Sequence, residues 1–585
     1  MDCIKLIKSL NYKKFLSQNF LNMNNIPRYL QKYVVEQNYE QYTPIDHACW
    51  RFIMRINESY FAKNAHRKYL EGLNKTGITI DKIPKISDIN AKMNEFGWSA
   101  IGVKGFLPPI IFMDFQSKAI LPIACEMRSI KHLTYTPAPD IVHEAAGHSP
   151  MIADKDYANF LKNYGQIALR AISSEEDYEL YKSIRYLSEI KENPQSKEAE
   201  ILDAEIDVKK KKEAISYTSE ASYLSRINWW TVEYGLIGKV ESPKIYGAGL
   251  LSSIGESENC LKNSVEKIPI SIDCINHSYD ITEQQPKLFV AKDFKYLSDI
   301  LNDFASTMAY KVGKRESVEK AIKSKTVCTL EIDKKIQISG KVEKIYGKNM
   351  DYISLSGHVQ ISQKNKEISG HGIERHPNGY GFPIGKLKNF SSDDDFFSSL
   401  AIQKSINLEF NSGVLIKGIL KSVNQISSKI SIVTINDCAV TYNDEILFSP
   451  DWGEYDLILG EQITSVYGGP ADIDKYYTLK NKYERISSNE TITSNSDTRL
   501  NKIYFQIRDF RNTGNKEYEI LHLLFENLVN NYPKDWLAKI EIYEIISNKG
   551  LKWEEPLKTS IMRNLENAER ELAQAIKNSI RLIEK

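Results

Sequence analysis

Cysteine is scarce and unpaired in this chain of 585 residues: Cys3, Cys49, Cys125, Cys260, Cys274, Cys328 and Cys438 lie far apart, with no CxxC among them. A sparse, odd set excludes a disulfide framework and a cysteine-built zinc site, and points to reduced thiols in a cytoplasmic setting. Long apolar runs are missing as well. The stretches 106–113 and 119–125 fall far short of a membrane span. The opening segment 1–20 carries Lys5, Lys8, Lys13 and Lys14 but no long apolar centre and no small-residue cleavage site. It is read as an amphipathic helix, not a secretory leader. Neither sign of charge is in surplus, since 77 basic and 76 acidic residues leave a net charge of +1. With no global field to attract nucleic acid or an acidic membrane, small molecules are the expected partners. Hydrophobic content of 42% and charged content of 26% belong to ordinary globular chains, and the length calls for more than one core.

What is present begins with helix. Between Asn25 and Gly97 apolar residues recur at helical spacing; Thr43-Pro44-Ile45-Asp46 marks one start, and Ile83-Pro84 followed by Ser87 and Asp88 marks another. The stretch 105–112, with Pro108 and Pro109, is expected to be extended, and a strand is expected over 119–126. Asp140 then stands where it would cap a helix carrying His143 and His148. Those histidines are five residues apart, about 140° around a regular helix, so both reach one ion only if the helix deforms, which Gly147 would ease. Taken alone the pair fits a structural role as well as a metal. The alternatives in zinc are poor: a zinc peptidase wants HExxH, one residue shorter, and a closed structural site wants four ligands.

Residues 173–219 are dense in charge, from Glu175-Glu176-Asp177 to Lys209-Lys210-Lys211-Lys212, and read as a solvated helical hairpin. Glu233 follows among Trp229, Trp230 and Tyr234, where a carboxylate is costly to bury unless paired or bound to a metal. Two histidines with one such carboxylate would form the three-ligand face suited to non-haem iron(II). After about Lys325 the texture turns to short β-branched runs separated by polar turns, a β-rich region of barrel or sandwich type. Pro377-Asn378-Gly379 signals a turn. His371 and His376 beside it are read as hairpin residues, a metal pair being the alternative. From Asp472 the chain is helical again, and Ile561, Leu565, Ala568, Leu572, Ala575 and Ile576 form a stripe expected to pack helices, including between subunits.

Three segments carry a resemblance: Tyr135-Thr136-Pro137-x-Pro139-Asp140-Ile141-x-His143-Glu144-x-x-Gly147-His148-x-Pro150, Trp229-x-Thr231-Val232-Glu233-x-Gly235-Leu236, and Tyr246-Gly247-Ala248-Gly249-Leu250-Leu251-Ser252-Ser253-x-Gly255-Glu256. In this order they resemble the signature segments of the pterin-dependent aromatic amino acid hydroxylases, over roughly residues 30–325. The resemblance implies a mainly α catalytic domain, ferrous iron held by His143, His148 and Glu233, and tetrahydrobiopterin or a related reduced pterin as cosubstrate. It implies Asp140 as the residue orienting the ligands; Arg128, Thr136, Tyr135, Trp229 and Ser252 around the substrate; and Leu107, Phe112 and Glu144 toward the pterin. Trp229, and apolar Ile281 in place of an acid, favour hydroxylation of L-phenylalanine to L-tyrosine. Tyrosine or tryptophan hydroxylation, or a non-catalytic binding protein on this scaffold, are the alternatives. Against the family pattern, 173–219 looks like an insertion, Asn228 replaces an aromatic near the pterin, Pro122 replaces a histidine, and no amino-acid-sensing module is expected ahead of the catalytic region. The expected organisation is a helical lead over 1–29, a catalytic domain over 30–325, a β-rich domain over 326–471 and helices over 472–585.

Overall fold

The computed structural model describes residues 26–135, 138–193, 195–281, 284–390, 393–427, 430–477, 498–566 and 568–585. The expected leading helix over 1–20 and the substrate-binding expectation at Thr136 lie outside them. No helix among the described residues is long and apolar enough to cross a membrane.

One helix, Pro44–Asn64, anchors the first core. Its start is specified locally: the Thr43 side chain accepts from the Asp46 N–H, the Asp46 carboxylate accepts from the Thr43 N–H, and Pro44 occupies the first turn where no N–H is needed. Trp50, Phe52, Ile53 and Met54 are buried along it, and the Trp50 indole N–H donates to the Thr79 carbonyl at 2.9 Å. The second expected start moves. Helix Ile86–Met93 is preceded by Lys85 without a side-chain cap, so Ser87 and Asp88 lie in its first turn.

The proline-rich stretch corrects the sequence reading more sharply. Residues 109–117 form a helix, not an extended segment, because Pro109 sits in the first turn, where a proline's missing N–H costs nothing and its fixed φ suits the helix. Phe112 is thereby carried on a helix. It is followed by strand Ile120–Ala124, parallel to Ser99–Val103. The charged region does form a hairpin, of helices Glu175–Glu192 and Glu198–Glu213, and its Lys212 reaches Asp280 at 3.5 Å.

Strands Val327–Ile332, Ile336–Tyr346, Tyr352–Gln363, Gly379–Pro383 and Ile463–Gly468 belong to one antiparallel sheet, and Ser405–Glu409, Leu415–Ser427, Ile430–Tyr442, Glu445–Phe448 and Tyr455–Ile458 to another. The first packs on Val318 and Ala321 of helix Lys314–Ser324 in a cluster that also takes in Ile432 and Ile458 of the second sheet, and a further cluster holds most of the second sheet's apolar residues with Tyr352 of the first.

The C-terminal helices do not stand apart. Leu521, Leu537, Ile540, Ile561, Ala575 and Ile576 belong to the same apolar cluster as Trp50, Val142 and Trp230. The expected stripe is interrupted between helices Glu554–Leu565 and Arg570–Ile583, and its buried members, Ile561, Leu565, Ala575 and Ile576, belong to the first core of this same chain. Trp536 meets Phe52 edge to face at 4.9 Å. Buried Arg51 is shared by Asp81, Glu541 and Glu544, while Arg55 pairs with Glu544 at 2.6 Å.

Two consequences are measurable. Ile561→Ala, which opens a cavity at the junction of C-terminal and catalytic helices, should cost about 2–5 kcal/mol, read from urea midpoints with the site and the C-terminal helices lost in one transition. His47 is buried, with Nδ1 3.2 Å from the Ile83 N–H it accepts, and burial pushes its imidazole down from 6.5 to about 3. As pH falls below 6.5 the unfolded chain takes up this proton first, so the stability His47 contributes is complete above that value and erodes toward pH 3. His47→Gln should flatten the pH dependence of the urea midpoint across that window.

Candidate active site

Both segments that bear the candidate ligands are π-helical. Residues Val142–His148 and Trp229–Glu233 are wound on i→i+5 hydrogen bonds, a form concentrated at functional sites. The wider turn brings residues five apart onto one face, where a regular helix would splay them. His143 and His148 accordingly meet with Nε2 atoms 3.2 Å apart. Side chains help to satisfy the displaced carbonyls: Tyr69 Oη donates to Ala146 at 3.0 Å and Ser149 Oγ to Glu144 at 3.3 Å.

Gly147 acts through space more than through pliancy. A Cβ there would come within 2.7 Å of the Ala248 carbonyl, so glycine lets helix Ala248–Ser252 lie directly on the π-helix. That contact delivers Ser252, whose hydroxyl is 3.0 Å from His143 Nδ1. Gly247 does the same for the carboxylate: a Cβ there would meet the Glu233 carbonyl at 2.4 Å. Glu233 Oε2 is 3.3 Å from His143 Nε2, and Oε1 is 3.5 Å from His148 Nε2.

Two imidazole nitrogens and the two oxygens of one carboxylate, with contacts of 3.2–3.5 Å between residues, suit one ion. Ligands at about 2.1 Å in neighbouring positions of an octahedron lie about 3 Å from each other, so a small closing movement completes the face. The electrostatics agree. Burial pulls His143 down, but the Glu233 carboxylate overrides it and holds the imidazole up at about 9; His148 falls with burial to about 4. Burial would raise Glu233, yet the two imidazoles keep it at about 2.

Behind it lies a buried ion pair. Arg128 donates from Nε and Nη2 to the two oxygens of Asp140 at 2.7 and 2.8 Å, and from Nη1 to the Ser252 carbonyl at 3.0 Å. Asp140 also accepts from the His143 backbone N–H at 3.0 Å, and against the effect of burial Arg128 holds its carboxyl low. Asp140 thus steadies the start of the π-helix, while the ring of His143 is oriented by Ser252, a residue expected only at the substrate.

Trp229 is sandwiched between Tyr234 and Tyr279, at centroid distances of 4.4 and 4.3 Å. Tyr135 donates to the Ile281 carbonyl. Phe112 lies 6.2 Å from the His148 ring, whereas Leu107 packs toward a separate cluster with Phe115 and Ile120. Glu144 is buried, Oε2 has no hydrogen-bond partner, and burial pushes its carboxyl up to about 8. One residue escaped the sequence reading. Asn228, seen there only as a missing aromatic, donates from Nδ2 to Glu233 Oε1 at 3.3 Å. Its spacing of five from Glu233, equal to that of the histidines, was the available signal.

A sequence family described as biopterin-dependent aromatic amino acid hydroxylase matches residues 23–191 and 216–349, more than half of the chain. The chain belongs to that family. The hydroxylase is an aromatic amino acid monooxygenase that uses a biopterin-type cofactor. The match passes over 192–215, the part of the charged hairpin that contains all of helix Glu198–Glu213. Among curated relatives, the phenylalanine-4-hydroxylase of Mesorhizobium japonicum is 26% identical over 301 residues, covering 50% of this chain and 91% of its own length. That of Chromobacterium violaceum is 26% identical over 271 residues, covering 46% and 76%. A crystal structure of the Chromobacterium enzyme with bound iron(III) and 7,8-dihydrobiopterin aligns at 25% identity over 47% of this chain and 85% of that one, with a TM-score of 0.38.

Removing the groups behind the triad tests the arrangement. Ser252→Ala and Asn228→Ala should each weaken metal affinity of the hydroxylase by about 10–100-fold, measured by competition with a chromogenic chelator, with the fold intact by circular dichroism.

Proposed function

We propose that the hydroxylase converts L-phenylalanine to L-tyrosine, with His143, His148 and Glu233 as ligands of iron(II). The convergence of their donor atoms, 3.2–3.5 Å apart on two π-helices, carries the reading. Bound there, iron with dioxygen and the reduced pterin would supply the oxidising chemistry; the protein supplies position and exclusion of water.

Arg128 has five N–H groups, three of them engaged by Asp140 and Ser252, and the remaining two grip the substrate carboxylate. Because the same guanidinium is locked to Asp140, the amino acid head is held in register with the start of the His143 segment. Trp229, stiffened between two tyrosines, walls the aromatic ring. Phe112 offers a face to the pterin from beside His148, and protonated Glu144 donates to an acceptor on it, giving its unpartnered oxygen a role. Pterin affinity then rests on Phe112 and Glu144 more than on Leu107. The preference for phenylalanine is supported by Ile281, which presents no acid to a ring hydroxyl, and by the activity named for the relatives. A cytoplasmic setting is supported by six free cysteines among the described residues.

Anaerobic loading with iron(II), followed by a product assay on phenylalanine, tyrosine and tryptophan with tetrahydrobiopterin, should show tyrosine formed from phenylalanine as the fastest reaction. Glu233→Ala should lose iron and turnover together. Arg128→Lys, which preserves a charge beside Asp140, should keep iron but weaken phenylalanine binding by about 1.5–3 kcal/mol for each hydrogen bond lost to the carboxylate. Unchanged phenylalanine affinity would show the substrate pose to be wrong.

A further inference from the structure

His371 and His376, read from sequence as hairpin residues, are joined in the fold by Asp456 from the other sheet. Their backbones are latched to strand Tyr352–Gln363: the Ile361 N–H donates to the His371 carbonyl and the Val359 N–H to the His376 carbonyl, both at 2.9 Å. Asp456 lies in strand Tyr455–Ile458, opposite Thr434 in its sheet. The loop and the strand bring three side chains together, each at least nine-tenths buried. His371 Nδ1 is 3.5 Å and His376 Nε2 3.6 Å from the same atom, Asp456 Oδ2.

These distances are long for hydrogen bonds, and both nitrogens are buried with no hydrogen-bond partner. Leaving two imidazole nitrogens unsatisfied beside one carboxylate oxygen is unfavourable twice over. The spacing is that of ligands sharing an ion: donors at about 2.0–2.1 Å from a tetrahedral centre stand about 3.4 Å apart. The His-x4-His interval also falls within the ligand spacing common in zinc sites. Asp456 is held for the task. Its Oδ1 accepts from Thr434 Oγ1 at 2.7 Å and from Arg375 Nη2 at 3.1 Å, and its Oδ2 accepts from Arg375 Nε at 2.9 Å, leaving further acceptor capacity at the oxygen nearest the imidazoles. Arg375 is itself shared with Glu454 at 2.9 Å, which offsets the charge it brings near the cluster.

We propose that His371, His376 and Asp456 form a second metal site, separate from the hydroxylation site, for a divalent ion of the zinc class with water as its fourth ligand. Two donors come from the loop 369–378, which joins two strands of one sheet, and the third from a strand of the other, so the ion ties the sheets together. Arg375 and Thr434 act as the partners that orient the carboxylate.

The test uses the full-length protein, stripped with chelator, reloaded with excess zinc(II), desalted and assayed by elemental analysis. Two equivalents are expected in the wild type, one in Glu233→Ala and one in His376→Gln, and none in the double variant. His376→Gln, reloaded with iron, should retain hydroxylase activity. Zinc absent from Glu233→Ala, or a single equivalent that survives in the double variant, overturns the proposal. A measurement without substitutions in the cluster supplements this: chelator should lower the melting temperature of zinc-loaded Glu233→Ala, and an unchanged melting temperature overturns the proposal as well. Loss of the Glu233-dependent equivalent alone would instead strike at the catalytic site.

Discussion

A regular helix points residues five apart about 140° away from each other, and the candidate active site depends on escaping that geometry twice. In residues 142–148 the π-helical winding turns His143 and His148 inward together; in residues 229–233 it brings Glu233 to face them. Neither winding is sustained by its own ladder alone. Tyr69 and Ser149 take up carbonyls of the first, and the glycines at 147 and 247 admit neighbouring backbone at distances a Cβ would forbid. The unusual backbone is therefore a product of what is packed against it.

The ion pair of Arg128 and Asp140 links this geometry to recognition. Burying both charges is favourable only because the pair is bidentate and the remaining lone pairs are engaged by backbone N–H groups. One arginine thus braces the histidine segment and carries the donors proposed for the substrate carboxylate. On that proposal, substrate position and ligand position are set by the same carboxylate.

The motifs around the histidines, the glutamate and the arginine were legible in the sequence because they are local: residue type, order and flanking residues carry the family resemblance. The same holds for the Thr43 and Asp46 capping box, whose parts lie within one turn. Other features were not. Pro108-Pro109 read as a break, although at a helix start proline is favourable, and only the neighbours decide which applies. The contacts of Ser252 with His143 and of Asn228 with Glu233 were not legible, because a hydroxyl or an amide has many partners, and which one it meets depends on elements more than a hundred residues apart or on a π-turn. The apolar stripe near the C-terminus announced packing but not its partner. Its partner proved to be the helix of Trp50, far away along the chain.

Residue identities and spacings thus carry the family resemblance and supply the candidate groups: two imidazoles, a carboxylate, a guanidinium and aromatic rings. They also settle the texture of each region, since periodicity and turn residues act over a few positions. Tertiary packing decides where those groups point. It widens two helical turns, places Ser252 behind one ligand and Asn228 behind another, folds the last helices back onto the first core, and sets Asp456 against two distant histidines. Convergence is a property of contacts between elements, and a linear pattern carries the donors without carrying the direction in which they face.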